Sequence, residues 1–364
     1  MHRPSPPSPG ALGLGAPALR EVLLADDELF LEHVAPPDHP ERGERLTSVR
    51  AGLARALDEL GAGHGYTRIP VADATDGQLA RVHTLEHIER LGHLAGRSGY
   101  LDSDTYLSPG SSAAARRAAG AAVALVDALG AGQTRVGLAL PRPPGHHALA
   151  DRAMGFCLFN NVAVAAAHAR ACGRERVLVL DWDVHHGNGT EAIFYDDPNV
   201  LFVSLHQYPN YPGTGADADV GSNAGVGRNV NLPLPPGGGD ELYGAAFERI
   251  VLPIVEQFAP DFALVSCGFD AHARDPLAQM ELSSSAYGAM TTQLLQRLPE
   301  ACPLGLILEG GYDLEALEES SREVGRALFG ATTPPLPSGS GLARDATEVL
   351  AQIGEIQSRF WRLG

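Results

Sequence analysis

The sequence predicts an α/β fold, a parallel β-sheet covered by helices on both faces. Three observations carry this. Short aliphatic runs at 21–25, 136–140, 177–181, 200–205, 262–267 and 304–308 alternate with Ala- and Leu-rich helical stretches. The runs are continuously apolar, so each strand needs cover on both sides. Four of them end in polar clusters, as expected of parallel sheets, whose ligands bind beyond the carboxyl ends of the strands.

Taken in order, residues 1–20 are too rich in Pro and Gly for a helical signal core, which predicts a disordered tail. Strand 21–25 follows, then helices over 45–60, 78–95 and 112–130, the last Ala-rich with Leu and Val at helical spacing. Strand 136–140 leads into PRPPGHHA, and helix 158–172 precedes strand 177–181, which leads into WDVHHGNG. Gly/Pro-rich loops at 212–227 and 234–240 lie between strand 200–205 and helix 240–258. Strand 262–267 runs into GFDAH, helix 284–298 follows, and strand 304–308 runs into EGGYD ahead of helix 314–329. PPLPSGSG at 334–341 connects to a last short helix near 342–360. No internal repeat or second change of composition divides residues 21–364, so one domain is expected.

The balance of 27 basic and 44 acidic residues, a net charge of −17, argues against nucleic acid as a partner. No run approaches the roughly 18 apolar residues of a membrane span. Cys157, Cys172, Cys267 and Cys302 form no CxxC pair, and three lie in or beside apolar runs; free thiols and a reducing cytoplasm are expected.

Asp183 and His185 stand two apart on an extended segment, so their side chains point the same way and can grip one ion. Asp270, at the end of another strand, offers a third ligand. Two carboxylates and an imidazole leave open positions on zinc, and such a set also admits Fe2+, Co2+ or Mn2+. A strand-end hydrogen bond between Asp183 and His185 satisfies the pattern equally. His146 and His147 suit general-base catalysis, metal binding or a solvated loop. Gly310-Gly311-Tyr312 suits either a turn with a packing Tyr or a backbone that approaches ligand closely, with the hydroxyl polarising a carbonyl.

Two competing patterns are present. His83-Thr84-Leu85-Glu86-His87 matches HxxEH, a zinc-protease pattern that places both histidines on one helix. A dimetal arginase-like site would need further carboxylates, but Gly187 stands two past His185 and His272 two past Asp270.

Taken together, HPERGERL, RPPGHHA, GFCLFNN, LDWDVHHGNGT, VSLHQ with PGTG, GFDAH with DPL, and LEGGYD resemble the histone deacetylase family over about residues 21–330. HHGNG and segment 219–232 are similar to its class II and bacterial amidohydrolase branch. The resemblance implies the arginase–deacetylase fold, a three-layer α/β/α sandwich with a mostly parallel eight-stranded sheet. It implies zinc held by Asp183, His185 and Asp270, with His146 and His147 flanking the attacking water. By resemblance, His147 is the general base and then acid, His146 is bonded to buried Asp181, and Tyr312 polarises the amide carbonyl. Asn188 stands where class I members carry an Asp that orients the second histidine. Gly155, Phe156 and Tyr211 would line a narrow tunnel, although the family usually has Phe at the position of Tyr211. A structural potassium ion would be held by Asp181, Asp183, His185, Ser204 and backbone carbonyls including that of Leu205, with His186 a packed neighbour.

The reaction implied is hydrolysis of an acetylated amine. Polyamine-selective members carry an acid where this chain has Leu277, which favours acetyl-lysine of proteins or peptides over acetylpolyamines or other small acyl amides. Asp102 and Asp104 are either rim acids that hold substrate or solvated loop residues.

Overall fold

The computed structural model describes residues 20–339 and 341–364. The tail expected over 1–20 lies outside the described residues, apart from Arg20, which opens the first strand.

In chain order the first half contains β1 (Arg20–Ala25), α1 (Glu44–Leu60), β2 (His64–Arg68), α2 (Asp76–Leu79), α3 (Leu85–His93), β3 (Gly99–Tyr100), β4 (Tyr106–Leu107), α4 (Ser111–Gly130), β5 (Val136–Ala139) and α5 (Asn161–Ala171). The second half contains β6 (Val177–Asp181), α6 (Asn188–Phe194), β7 (Val200–Gln207), β8 (Asn229–Leu234), α7 (Asp240–Ala246), α8 (Leu252–Phe258), β9 (Phe262–Cys267), α9 (Ser284–Arg297), β10 (Leu304–Leu308), α10 (Leu314–Leu328) and α11 (Arg344–Gln357). Eight strands form one sheet in the order β2-β1-β5-β10-β9-β6-β7-β8. Every pair in it is parallel. With helices flanking the sheet, this is the expected three-layer α/β/α sandwich.

All six predicted strands form. The sequence reading misses β2 and β8, the two edges of the sheet. β2 is HGYTR, only partly buried, and has no aliphatic run. β8 is NVNLPL, and its Pro233 is tolerated because an edge strand leaves one side of its backbone unpaired. The predicted helix 78–95 is two helices, separated where the Thr84 hydroxyl caps α3 by accepting from the His87 amide at 3.2 Å. Predicted helix 158–172 starts later, because Asn160 caps α5 by accepting from the Ala163 amide at 2.9 Å. Helix 240–258 is continuous but passes through a π turn at Phe247–Val251, just ahead of Pro253, which has no N–H to give.

The four strands whose ends carry polar clusters, β5, β10, β9 and β6, are consecutive neighbours at the centre of the sheet. Every residue of all four is buried. The clusters therefore meet over the middle of one rim.

Candidate active site

Asp183 and His185 leave the end of β6, and Asp270 leaves the end of β9. One ligand atom from each lies within 4.8 Å of the other two, and all three residues are buried. His185 Nδ1 is 3.2 Å from Asp183 Oδ1 and 3.3 Å from Asp270 Oδ2. Asp183 Oδ2 accepts from the Gly310 amide at 2.8 Å, and Asp270 Oδ1 from the Val184 amide at 2.8 Å. Asp270 Oδ2 has no well-directed hydrogen bond among the described residues; its contact with His185 Nδ1 at 3.3 Å is an ion pair only. Two buried carboxylates with an oxygen left over require a counter-charge, and the O/N donor set fits a divalent transition-metal cation.

Glycines make room for these carboxylates. A Cβ on Gly268 would stand 2.2 Å from Asp183 Oδ2, and one on Gly310 would stand 2.0 Å from Asp270 Oδ2. Gly310 thus lets the backbone approach the carboxylates themselves.

The two histidines differ in electrostatics. His146 Nδ1 donates to Asp181 Oδ2 at 3.0 Å. Burial would lower its basicity, but Asp183 and Asp181 outweigh burial and hold the imidazole well above its ordinary range. His147 Nδ1 donates to the amide oxygen of Asn188 at 2.8 Å. Burial, with His146 and His185 nearby, holds His147 well below its ordinary range. A charged histidine beside a neutral one is the pattern expected of an electrostatic stabiliser paired with a base.

A cavity of about 210 Å³ opens over the cluster, lined by His147, Gly155, Phe156, His185, Tyr211, Leu277 and Tyr312, with Asp104 and Asn210. Larger hollows of about 350 and 430 Å³ elsewhere have none of these residues in their walls. Phe156 has φ +68°, a costly backbone for a non-glycine residue, and its ring meets Tyr312 edge-on at 5.9 Å. Tyr211 meets the His147 ring edge-on at 5.0 Å. Asp275 accepts from the Tyr312 amide at 2.6 Å and the Leu277 amide at 3.0 Å, so one carboxylate ties two wall residues. Burial, reinforced by Asp270, raises that carboxyl to about 7. Asp102 does not line the cavity; its Oδ1 accepts from the Asp104 and Thr105 amides at 3.1 and 2.6 Å and shapes the loop.

Ser204 lies beside Asp181 across the paired strands β6 and β7, with Leu205 next to it. His206 Nε2 donates to the Gly215 carbonyl at 2.9 Å, so its Nδ1 accepts from the Ser204 hydroxyl at 2.9 Å and leaves the serine lone pairs unused by that bond. His186 is packed, bonded to Thr214 at 2.8 Å and Glu191 at 3.2 Å.

The HxxEH pattern is structural. His83 donates to the Leu149 carbonyl and accepts from the Asn160 amide; His87 donates to the Leu158 carbonyl and accepts from Arg90. Asp127, His168 and Cys172 form the other grouping of metal-ligand types among the described residues. There Arg81 occupies the lone pair of His168 Nδ1, and the Nε2 proton goes to Asp127.

A histone deacetylase domain model matches residues 39–328. The chain belongs to the histone deacetylase family. It is 40% identical over 361 residues to Histone deacetylase 15 of Arabidopsis thaliana, covering 96% of this chain and 64% of that protein. It is 48% identical over 318 residues to the Histone deacetylase-like amidohydrolase of Pseudomonas aeruginosa, covering 80% of this chain and 82% of that one. Polyamine deacetylase HDAC10 of Homo sapiens is 41% identical over 340 residues, 88% of this chain and 49% of that protein. The crystal structure of the HDA15 HD domain superposes with a TM-score of 0.84 at 40% identity, covering 94% of this chain and 95% of that one. The fold is that of the family's deacetylase domain.

The supporting residues lie in the stretches that carry the family resemblance, HPERGERL, RPPGHHA and LEGGYD, but the sequence alone assigns them no role. Glu309 accepts from the Gly145 and His146 amides at 2.6 and 3.1 Å. Arg45 donates to the Gly311 carbonyl at 2.6 Å and to the Glu309 carbonyl, and pairs with Glu41 at 3.0 Å. Arg142 pairs with the same Glu41 at 2.6 Å. The i,i+4 spacing of Glu41 and Arg45 is the one local signal of this network.

Proposed function

We propose that the protein is a zinc-dependent amidohydrolase that removes acetyl groups from the Nε of acetyl-lysine in proteins or peptides. One observation carries the reading: Asp183, His185 and Asp270 converge, with no well-directed hydrogen bond to Asp270 Oδ2, at the base of a cavity lined by His147 and Tyr312. Asp183, His185 and Asp270 hold the metal, with Fe2+ or Co2+ as substitutes for zinc. When bound, such an ion lowers the pKa of water toward 7 and polarises a carbonyl.

The protein groups do the rest. His147, kept neutral, takes the proton of the attacking water and passes it to the leaving amine. His146, paired with Asp181, contributes positive charge facing the developing oxyanion. The Tyr312 hydroxyl donates to the substrate carbonyl and strengthens that bond as charge develops. Phe156 and Tyr211 flank the aliphatic part of the acyl-lysine chain, and Gly155 leaves it room. The single domain extends over 21–364, and a structural potassium ion is held by Asp181, Asp183, His185, Ser204 and Leu205; the lone pairs that Ser204 keeps from His206 support that reading.

Leu277 in the cavity wall brings no charge to meet a distal ammonium, which supports acetyl-lysine as substrate. Acetylpolyamine is the second reading, favoured by Asp104 at the cavity and by the likeness to a protein named a polyamine deacetylase. Initial rates on an acetyl-lysine peptide, N-acetylputrescine and N-acetylspermidine, with and without a chelator, test both. Chelator-sensitive turnover favouring the peptide supports the first reading, turnover favouring the polyamines supports the second, and no turnover on any of them rejects both.

A further inference from the structure

Asn188 presents two nearly isosteric ends to its surroundings, an acceptor oxygen and a donor NH2. In the structure the oxygen faces His147 Nδ1 at 2.8 Å. The opposite orientation would point N–H at Nδ1, which then has to accept. The proton would move to Nε2, and the imidazole could no longer take one from water. A base held by a carboxylate has no such ambiguity, because both oxygens accept. A base held by an amide needs something that tells the two ends apart.

That discriminator is on the other side of the amide. Asn188 Nδ2 donates to Met154 Sδ at 3.4 Å. A thioether accepts and never donates, so it can face only the NH2 end. The sulfur is held by a closed turn. Met154 and Cys157 exchange backbone hydrogen bonds at 3.1 and 3.0 Å, and the two residues between them, Gly155 and Phe156, both have positive φ, +57° and +68°. This is the geometry of a tight primed turn, which fixes where residue 154 stands. The same turn lies against the base: a Cβ on Gly155 would be 2.4 Å from His147 Cδ2.

We propose that the Met154 thioether is a tautomer lock, holding the Asn188 amide in the one orientation that keeps the His147 proton on Nδ1. Met154 is a positioning residue; it acts on the base through Asn188. The inference rests on His147 being the general base.

The test is Met154→Leu, which keeps the volume and removes the acceptor, made in the zinc-loaded protein alone and combined with Asn188→Asp. Losing one weak hydrogen bond shifts the amide's orientation equilibrium roughly three- to tenfold, so a wild type held almost wholly in one orientation is expected to lose up to about half of its kcat, with KM for an acetyl-lysine peptide nearly unchanged. In the Asn188→Asp background the same change has no further effect, because a carboxylate cannot be reversed. Equal losses in both backgrounds would mean that Met154 only packs, and no loss in either would mean that it orients nothing; each outcome overturns the lock. Nitrogen-15 NMR of the His147 ring reads the tautomer without turnover. Met154→Leu is expected to add an Nε2–H population to a wild-type spectrum of Nδ1–H alone, and an unchanged spectrum overturns the proposal. His147→Ala separates the two ideas: near-normal turnover would remove the base reading, while the NMR result would still decide what sets the tautomer.

Discussion

The Glu309 carboxylate accepts from the Gly145 amide at 2.6 Å, joining the end of β10 to the histidine turn at the end of β5. The same oxygen accepts from His146 N–H at 3.1 Å, so one buried side chain holds the backbone of the turn that leads into the two candidate catalytic histidines. Burial raises this carboxyl to about 7. Glu309→Ala leaves two amide donors without an acceptor and is expected to cost about 2–4 kcal/mol of stability and to lower kcat. Glu309→Gln keeps one acceptor and should lose less. Denaturant unfolding with steady-state kinetics checks this; an Ala variant as stable as wild type would show that the turn holds itself.

Gly310→Ala should empty the candidate metal centre. The added Cβ would stand 2.0 Å from Asp270 Oδ2 and 2.6 Å from Asp183 Oδ2, and both carboxylates are tied in place by the Val184 and His185 amides. Bound zinc per chain, measured by elemental analysis after dialysis, is expected to fall well below that of wild type. Gly354→Ala, where a Cβ meets nothing within 4 Å, is the matched control and should retain the metal.

Tyr312→Phe should lower kcat by about 10²–10³, the usual worth of one oxyanion donor, with the metal retained. His147→Ala should lower kcat by about 10²–10⁴, again with the metal retained. Unchanged kcat in either variant would remove that residue from its assigned role.

His33 should contribute to acid sensitivity, alongside the other buried histidines that burial keeps neutral, His83, His147 and His206. Burial drives this imidazole from 6.5 down to about 3. It is stacked on Tyr106 at 4.3 Å and bonded to Ser111 at 2.7 Å. The fold favours the neutral ring, so its contribution is complete above pH 6.5 and is lost progressively as pH falls toward 3. Burial would raise its neighbour Glu41, but Arg142 and Arg45 overcome that and bring it from 4.5 down to about 2, so its contribution is lost only below pH 4.5. Thermal melts between pH 7 and 5 should therefore lose less stability in His33→Phe than in wild type, and parallel slopes would contradict this.

Leu277→Glu should turn selectivity toward acetylpolyamines. A carboxylate in this wall meets a distal ammonium, and about 1 kcal/mol of ion pairing raises the N-acetylspermidine to peptide ratio of kcat/KM roughly fivefold. An unchanged ratio would show that position 277 does not select substrate.

Six central strands were legible as continuous apolar runs because burial on both faces leaves a local mark. The edges β2 and β8 were not, because an edge strand is free to carry His, Asn and Pro. Asp183 and His185 were legible as a pair because they stand two apart on extended chain. The roles of Glu309, Asp275 and Met154 have no such mark, since a side chain that bonds to a distant amide has no spacing to betray it.

The sequence by itself determined which side chains stand at the carboxyl ends of which strands, and so which chemistry was available. Only the tertiary structure decided that β5, β10, β9 and β6 are neighbours, bringing Asp270 Oδ2 to 3.3 Å from His185 Nδ1. The reason is physical. Apolar period and turn chemistry act over a few residues, whereas strand order follows from which faces bury one another once the whole chain has collapsed.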